Sequence, residues 1–339
     1  MKNKERLNSV EETNSAESNE QKEETGVEEN TSKKINVIKL EKKENDKPFY
    51  EVVENERISI SKSYKKTSMI NNILLLVVAA VFIGSFILIT RGTWGQITGW
   101  VLIGVTIAGL VVYYLLSRKK YPELSRKYFK VFWEETNNYL FDDEQFSDCE
   151  IDIDERYQLS DVVAERAYKD IVSVASRNIV RGKYNGKEFS FGELGLYRPG
   201  PKKISRDVVF VGRHLELNSK LSIGGRYIVN IRKEESPVDL PTDIEDLVVL
   251  HEDGLMTIYG EEGAKYEKDL DKSVLTQLQS LTCQAPLLNI NVVFFDKKTF
   301  CYLSYDDSIV AIPFEKPIDA PSYEILKRNI NDVFDILSK

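Results

Sequence analysis

The chain has 339 residues, a net charge of −8 and 42% hydrophobic residues, enough for a folded domain with a sizeable core. No long basic stripe with interleaved aromatics stands apart from the apolar runs described below, which argues against a nucleic-acid-binding surface. Three cysteines (Cys149, Cys283 and Cys301) lie far apart without a CxxC pair. They read as reduced, core-packed thiols in a reducing compartment.

Residues 1–68 are rich in Glu, Lys, Asn and Ser and poor in Val, Ile and Leu. Such a stretch buries too little apolar surface to offset chain entropy, so a disordered tail is expected. Two apolar islands interrupt it, Ile35–Leu40 and Phe49–Val53. Either can add as a β-strand to a partner's sheet edge or to the chain's own. The expectation is transient contact within a disordered linker. So long a hydrophilic lead ahead of the first apolar run is the wrong order for a cleavable secretion signal.

Met69–Thr90 carries no charged residue and is dense in Ile, Leu, Val and Phe, and Gln96–Leu116 is a second uncharged stretch. At about 1.5 Å per residue each spans a hydrocarbon core of roughly 30 Å. The short link Arg91–Gly95 forces the two helices into an antiparallel hairpin, residues 69–117, with Trp94 and Trp100 suited to the interface. Arg57, Lys62, Lys65 and Lys66 precede the first span. Arg118, Lys119, Lys120, Arg126, Lys127 and Lys130 follow the second, and the tip holds Arg91 alone. That asymmetry predicts both termini in the cytoplasm. Gly95 and Gly99 form a GxxxG pair, continued by Gly104 and Ala108, a small-residue series that favours helix packing within the hairpin or between copies. No Asp, Glu, Lys, Arg or His lies inside either span, which suits an anchor better than a transporter.

Residues 118–141 read as a juxtamembrane helix with Pro122 near its start. Arg118, Lys119, Lys120, Arg126, Lys127 and Lys130, mixed with Tyr121, Phe129 and Trp133, suit contact with an anionic bilayer surface. Residues 142–339 form the folded domain. Ser160 suggests the cap of a short helix through Tyr168. Ile179–Tyr184, Asn185-Gly186 and Lys187–Phe191 predict a type I′ hairpin. A Gly/Pro loop follows at Tyr197–Pro201. Strands are expected at Asp207–Leu217, Arg226–Ile231, Leu247–Leu250 and Leu255–Tyr259, with Gly224-Gly225 as a turn. Asp271 suggests the N-cap of a helix through Cys283. Asn289–Phe295 and Thr299–Tyr305 read as a second hairpin around Asp296–Lys298, with Ile309–Phe314 as a third strand. A helix from Pro321 closes the chain. Strands joined by short turns outnumber helices, so the fold class is α+β on an antiparallel sheet.

Five segments carry a family resemblance: RGKYNGKEFSF at Arg181–Phe191, VFVGRHLEL at Val209–Leu217, LMTIYG at Leu255–Gly260, LDKSVLTQLQSL at Leu270–Leu281 and INVVFFDKKTFCYLSY at Ile290–Tyr305. In that order they resemble the bacterial membrane-protein family called "domain of unknown function 3137". The resemblance spans roughly residues 120–339 and extends to the preceding membrane pair. It brings no activity with it.

No catalytic, cofactor or metal motif stands out. The two histidines, His214 and His251, fall in neither GxSxG nor HExxH. The segment Gly182–Lys187 has the wrong glycine spacing for a phosphate loop and sits between strands. The acidic runs Asp148–Glu155 and Glu261-Glu262 lack EF-hand spacing. The leading expectation is a membrane-tethered, non-enzymatic interaction or regulatory module. Its partners would be the lipid bilayer and either a protein partner or a second copy. One alternative is an enzyme using Arg213 or Arg226 near His251 and Glu252. Another is an oligomeric pore through the hairpin, motivated by Gly95 and Gly99.

Overall fold

The computed structural model describes residues 37–40, 48–153, 155–201, 205–233, 247–281, 287–305 and 316–338. Two long helices enter first, α1 (Phe49–Ile89) and α2 (Thr93–Leu140), of 41 and 48 residues. At 1.5 Å per residue they are about 62 and 72 Å long. The link is Thr90-Arg91-Gly92, shorter than expected. Gly92 has a φ of +97°, a conformation that a side chain would strain.

Both helices outrun their apolar spans. The tail was expected to reach residue 68, yet helix begins at Phe49. Val53 and Ile60, two turns apart on one face, are 0% and 2% exposed within the main core. Phe49 stacks on Tyr139 at 4.3 Å and meets Tyr323 edge-on at 5.7 Å. These tertiary contacts outweigh the polar composition and make the Phe49–Val53 island helical, not extended. On the other side, the second span and the juxtamembrane helix are one helix with Pro122 inside it. A proline removes one backbone hydrogen bond and crowds the preceding turn. The helix runs through because its two halves are held separately, one paired in the hairpin and one packed on the domain.

The other island does form a strand. Val37–Lys39 (β1) pairs antiparallel with Phe146–Asp152 (β2), in register Val37 to Asp152 and Lys39 to Glu150. The backbone N–H of Leu40 also donates to the Cys149 carbonyl at 2.9 Å. The chain's own sheet thus takes up the island, in place of transient linker contacts.

After β2 come α3 (Leu159–Ala164), β3 (Ser173–Tyr184), β4 (Lys187–Pro199), β5 (Arg206–Arg232), β6 (Val248–Asp253) and β7 (Met256–Gly260). They are followed by α4 (Tyr266–Asp269), α5 (Lys272–Leu281), β8 (Leu287–Tyr305) and α6 (Ala320–Leu337). The fold is α+β on an antiparallel sheet, as the pattern of strands and turns implied. The β3–β4 turn is Asn185-Gly186, with φ of 49° and 78°, both in the left-handed region that a type I′ turn needs. Asp271 accepts from the Ser273 N–H at 2.7 Å and opens α5.

Strand order is β1-β2-β3-β4-β5-β7-β6, with β8 along the other edge of β5. Two expectations fail here. The segments 207–217 and 226–231 belong to one 27-residue strand, so Gly224-Gly225 is no turn. The segments 289–295 and 299–305 are one 19-residue strand rather than a hairpin. Lys298 pairs with Asn218 and Asp296 with Ile223. Register slips between Asn218 and Ile223, and again before Arg226, put surplus residues into β5. Such bulges bend a strand. The turn-forming residues of both segments therefore mark a shared bend, not a reversal. The expected strand Ile309–Phe314 and Cys283 lie outside the described residues.

The sheet is covered on both faces. The larger core packs the start of α1, the end of α2, α5 and α6 on Phe141, Phe146, Phe189, Phe191, Leu215 and Val229. Phe334 of α6 meets the Phe146 and Phe189 rings at 5.1 and 4.9 Å. The smaller core, including Val162, Leu194, Leu196, Phe210, Ile228 and Tyr302, lies on the other face. The helix expected from Ser160 to Tyr168 is only α3, with Gln158 as its N-cap. It stops early because Arg166 takes a φ of 52°.

Candidate functional site

Three places hold the charged and polar residues that could carry function. The first is the hairpin and the stalk below it. The apolar span of α1 is only 6% buried, and that of Thr93–Val111 only 11%. Both helices are long and apolar enough to cross a membrane. Ile73, Leu75, Leu76, Val77, Phe86, Trp94 and Trp100 are all exposed.

A Cβ on Gly95 would lie 2.3 Å from the Leu88 carbonyl oxygen, and one on Gly99 would lie 2.6 Å from Ile89 and 2.8 Å from the Ser85 carbonyl. Both glycines are consumed by contact inside the hairpin, so neither presents a face to another copy. That removes the observation behind the pore. Gly104 would meet nothing within 4 Å, and Ala108 is exposed, so these two lie outside the helix–helix contact. Replacing Gly99 with leucine should separate the helices, whose axes normally pack at about 8–10 Å. Spin labels at the exposed positions Ile73 and Ile107 should move apart by about 2 Å or more. An unchanged distance would contradict the close contact.

Below the spans, Arg126, Lys127 and Lys130 are exposed, while Arg118, Lys119 and Lys120 are helical residues of α2. Lys127, with its side chain 65% exposed, also forms an ion pair with Glu56 of α1 at 2.8 Å. Arg57 holds Glu54 bidentately, and that guanidinium keeps the Glu54 carboxyl below its ordinary range.

The second place is the joint between α2 and the sheet. Arg177 of β3 lies 5.1 Å from the Trp133 ring and 5.9 Å from Phe129. Its Nε donates to Glu193 Oε2 at 2.5 Å, and Glu193 Oε1 stands 3.2 Å from Arg213 Nη1. Arg213 in turn lies over Phe191 at 5.9 Å. Beside this chain of charges, Asn137 of α2 donates to the Asn178 side-chain oxygen at 2.6 Å. Asn178 occupies a bulge in β3 with a φ of 57°.

The third place is the smaller face of the sheet. His214 of β5 and Tyr302 of β8 are register partners. Both reach Glu165, just past α3: His214 Nε2 at 2.9 Å, and the Tyr302 hydroxyl in a short hydrogen bond to the same Oε2. A carboxylate only accepts, so His214 donates its Nε2–H. Tyr157 meets the imidazole edge-on at 5.1 Å and bonds Ser190 at 3.1 Å. Burial, and then the Glu165 charge, push the Tyr302 hydroxyl well above the usual tyrosine range. His214, Tyr302 and Glu165 are 0%, 1% and 5% exposed. The arrangement resembles an acid–base relay in chemistry. Its burial excludes substrate, so it acts as a tie between α3 and the sheet.

The residues suggested for an enzyme do not meet. Arg213 lies under Glu193 in the larger core. Arg226 lines a shallow cleft of about 200 Å³ with Arg166, Leu247, Glu261 and Phe295. His251 meets the Tyr266 ring at a tilt, centroids 5.6 Å apart, and β7 stands between its strand and that of Arg226. Among the described residues no group of three His, Cys, Asp or Glu could hold a metal. Sequence reasoning missed the Glu165–His214–Tyr302 cluster because its members are 49 and 137 residues apart. It carries no local motif.

No protein-family model matches the chain, and no curated protein matches it. The resemblance to domain of unknown function 3137 therefore rests on the quoted segments. Among solved structures, the crystal structure of the mycobacterial trehalose monomycolate transport factor A aligns with 60% of this chain and 92% of its own, at 16% identity and a TM-score of 0.29. A likeness that low decides neither fold nor function.

Proposed function

We propose that this chain is a membrane-anchored interaction module of non-enzymatic type, held at the cytoplasmic face of a bacterial inner membrane with both termini inside. The observation that carries this reading is the continuity of α1 and α2. Each runs unbroken from an outward-facing apolar span to residues buried in the domain core, Val53 and Ile60 in α1 and Tyr128 and Phe132 in α2. From Leu116 to Tyr128 the stalk rises about 18 Å at the helical 1.5 Å per residue. In this reading a stalk of that length holds the sheet clear of the lipid headgroups. The placement of Lys and Arg on both flanks, against Arg91 alone at the tip, supports the orientation. A continuous helical stalk and a sheet covered on both faces suit presenting a surface to a protein partner or a second copy better than turning over a substrate.

The test is extraction and labelling. Full-length protein in bacterial membranes should stay in the pellet at alkaline pH. A cysteine at Thr93 should react with an impermeant thiol reagent in intact cells, once the outer barrier is opened, and one at Lys316 should not. Release into the supernatant would defeat the anchor. Labelling at residue 316 alone would invert the orientation.

A further inference from the structure

We propose that the stalk carries a collar that binds anionic phospholipid headgroups, a step that rests on the membrane-anchored reading above. Two segments compose it. Residues 61–68 of α1 read SKSYKKTS, with three lysines and no acid, and residues 117–127 of α2 read SRKKYPELSRK, with five basic residues against Glu123 alone. The chain as a whole carries −8. These two short stretches are thus net basic within a chain that is acidic as a whole.

The hairpin brings these stretches to one level. Lys66 and Arg118 stand 25 and 27 residues from Arg91 at the tip. At 1.5 Å per residue in antiparallel helices, their heights differ by only about 3 Å. Both directly follow the apolar spans, where headgroup phosphates would lie. Lys62, Lys65, Lys66 and Arg126 are exposed. The collar has a lower boundary. Lys127 pairs with Glu56 and Arg57 with Glu54, so at that level two of the basic residues face carboxylates of the chain itself. Each segment also contains a tyrosine, Tyr64 and Tyr121, a residue type enriched at membrane interfaces. Basic segments beside a membrane span attract anionic lipid over a Debye length. The acidic remainder is repelled by the same surface. The charge segregation therefore draws anionic lipid to the stalk while holding the domain off the bilayer.

The experiment uses the full chain, reconstituted from detergent into nanodiscs of 20% phosphatidylglycerol and 80% phosphatidylcholine. Lipids immobilised at the protein are read with spin-labelled versions of each. The wild type should enrich phosphatidylglycerol about threefold or more over the bulk ratio, with the preference falling as salt rises. A variant with Lys62→Gln, Lys65→Gln, Lys66→Gln, Arg118→Gln, Lys119→Gln and Lys120→Gln should return to the bulk ratio. Its arginine-for-lysine counterpart, with lysines 62, 65, 66, 119 and 120 changed to Arg, should keep the enrichment. A wild type at the bulk ratio, or a glutamine variant still enriched, overturns the collar while the anchor stands. Failure of the wild type to resist alkaline extraction overturns the anchor and the collar with it.

Discussion

Glu193→Leu should destabilise the domain by about 3–5 kcal/mol, the cost of removing one member of a buried ion pair. The carboxylate serves two guanidiniums of unequal exposure. Arg177 has a side chain 38% exposed and can turn to water, whereas the Arg213 side chain is 3% exposed. Without Glu193, Arg213 keeps its charge in the larger core, over the Phe191 ring. Arg213→Met should cost much less, because Glu193 keeps Arg177. The double change Glu193→Leu with Arg213→Met should recover most of the loss, since apolar replacement of a buried pair is often neutral or stabilising. The measurement is thermal unfolding of the full chain in detergent. Trp133, stacked on Arg177, reports the joint itself. Equal losses for the two single changes would refute the unequal-exposure argument. A double variant as weak as Glu193→Leu would show that the pair contributes net stability.

That ion-pair chain also explains what the sequence could and could not reveal. The β3–β4 hairpin was legible because Asn185-Gly186 is a local signal, and α5 because Asp271 caps it. Both are decided within four residues. The bend shared by β5 and β8 was not legible. Gly224-Gly225 and Asp296–Lys298 carry the same residue types that reverse a chain, and only pairing between distant strands decides that they bend instead. The lower half of α1 was hidden for a related reason. Its apolar residues Val53 and Ile60 are sparse, and they become informative only when Tyr139 and Tyr323 stand ready to cover that helix. Among the candidate site residues, the two glycines of the hairpin were readable from spacing, since close helix approach needs a small residue on every fourth position. The partners of His214 and Glu193 were not, because buried ion pairs obey geometry alone.

Glu165→Leu should cost about 2–4 kcal/mol, for a different reason. It strands two buried donors at once, the His214 Nε2–H and the Tyr302 hydroxyl, and each unsatisfied group carries its full desolvation penalty of about 1–3 kcal/mol. Tyr302→Phe removes one donor together with its hydroxyl and should cost only about 1–2 kcal/mol. Combining the two should fall short of their sum, since the donor that Phe lacks can no longer be stranded. The tyrosine adds a pH signature. Its folded value is raised, so its contribution is complete below the ordinary tyrosine value near 10 and is lost as the solution becomes more alkaline. Unfolding curves for wild type and Tyr302→Phe should run in parallel at neutral pH and converge above about pH 10. Curves that stay parallel would mean the hydroxyl ionises equally in both states, which its burial against Glu165 forbids. The comparison also separates the two readings of the cluster. A relay would lose turnover while keeping its stability, whereas a tie sealed between α3 and the sheet loses stability first.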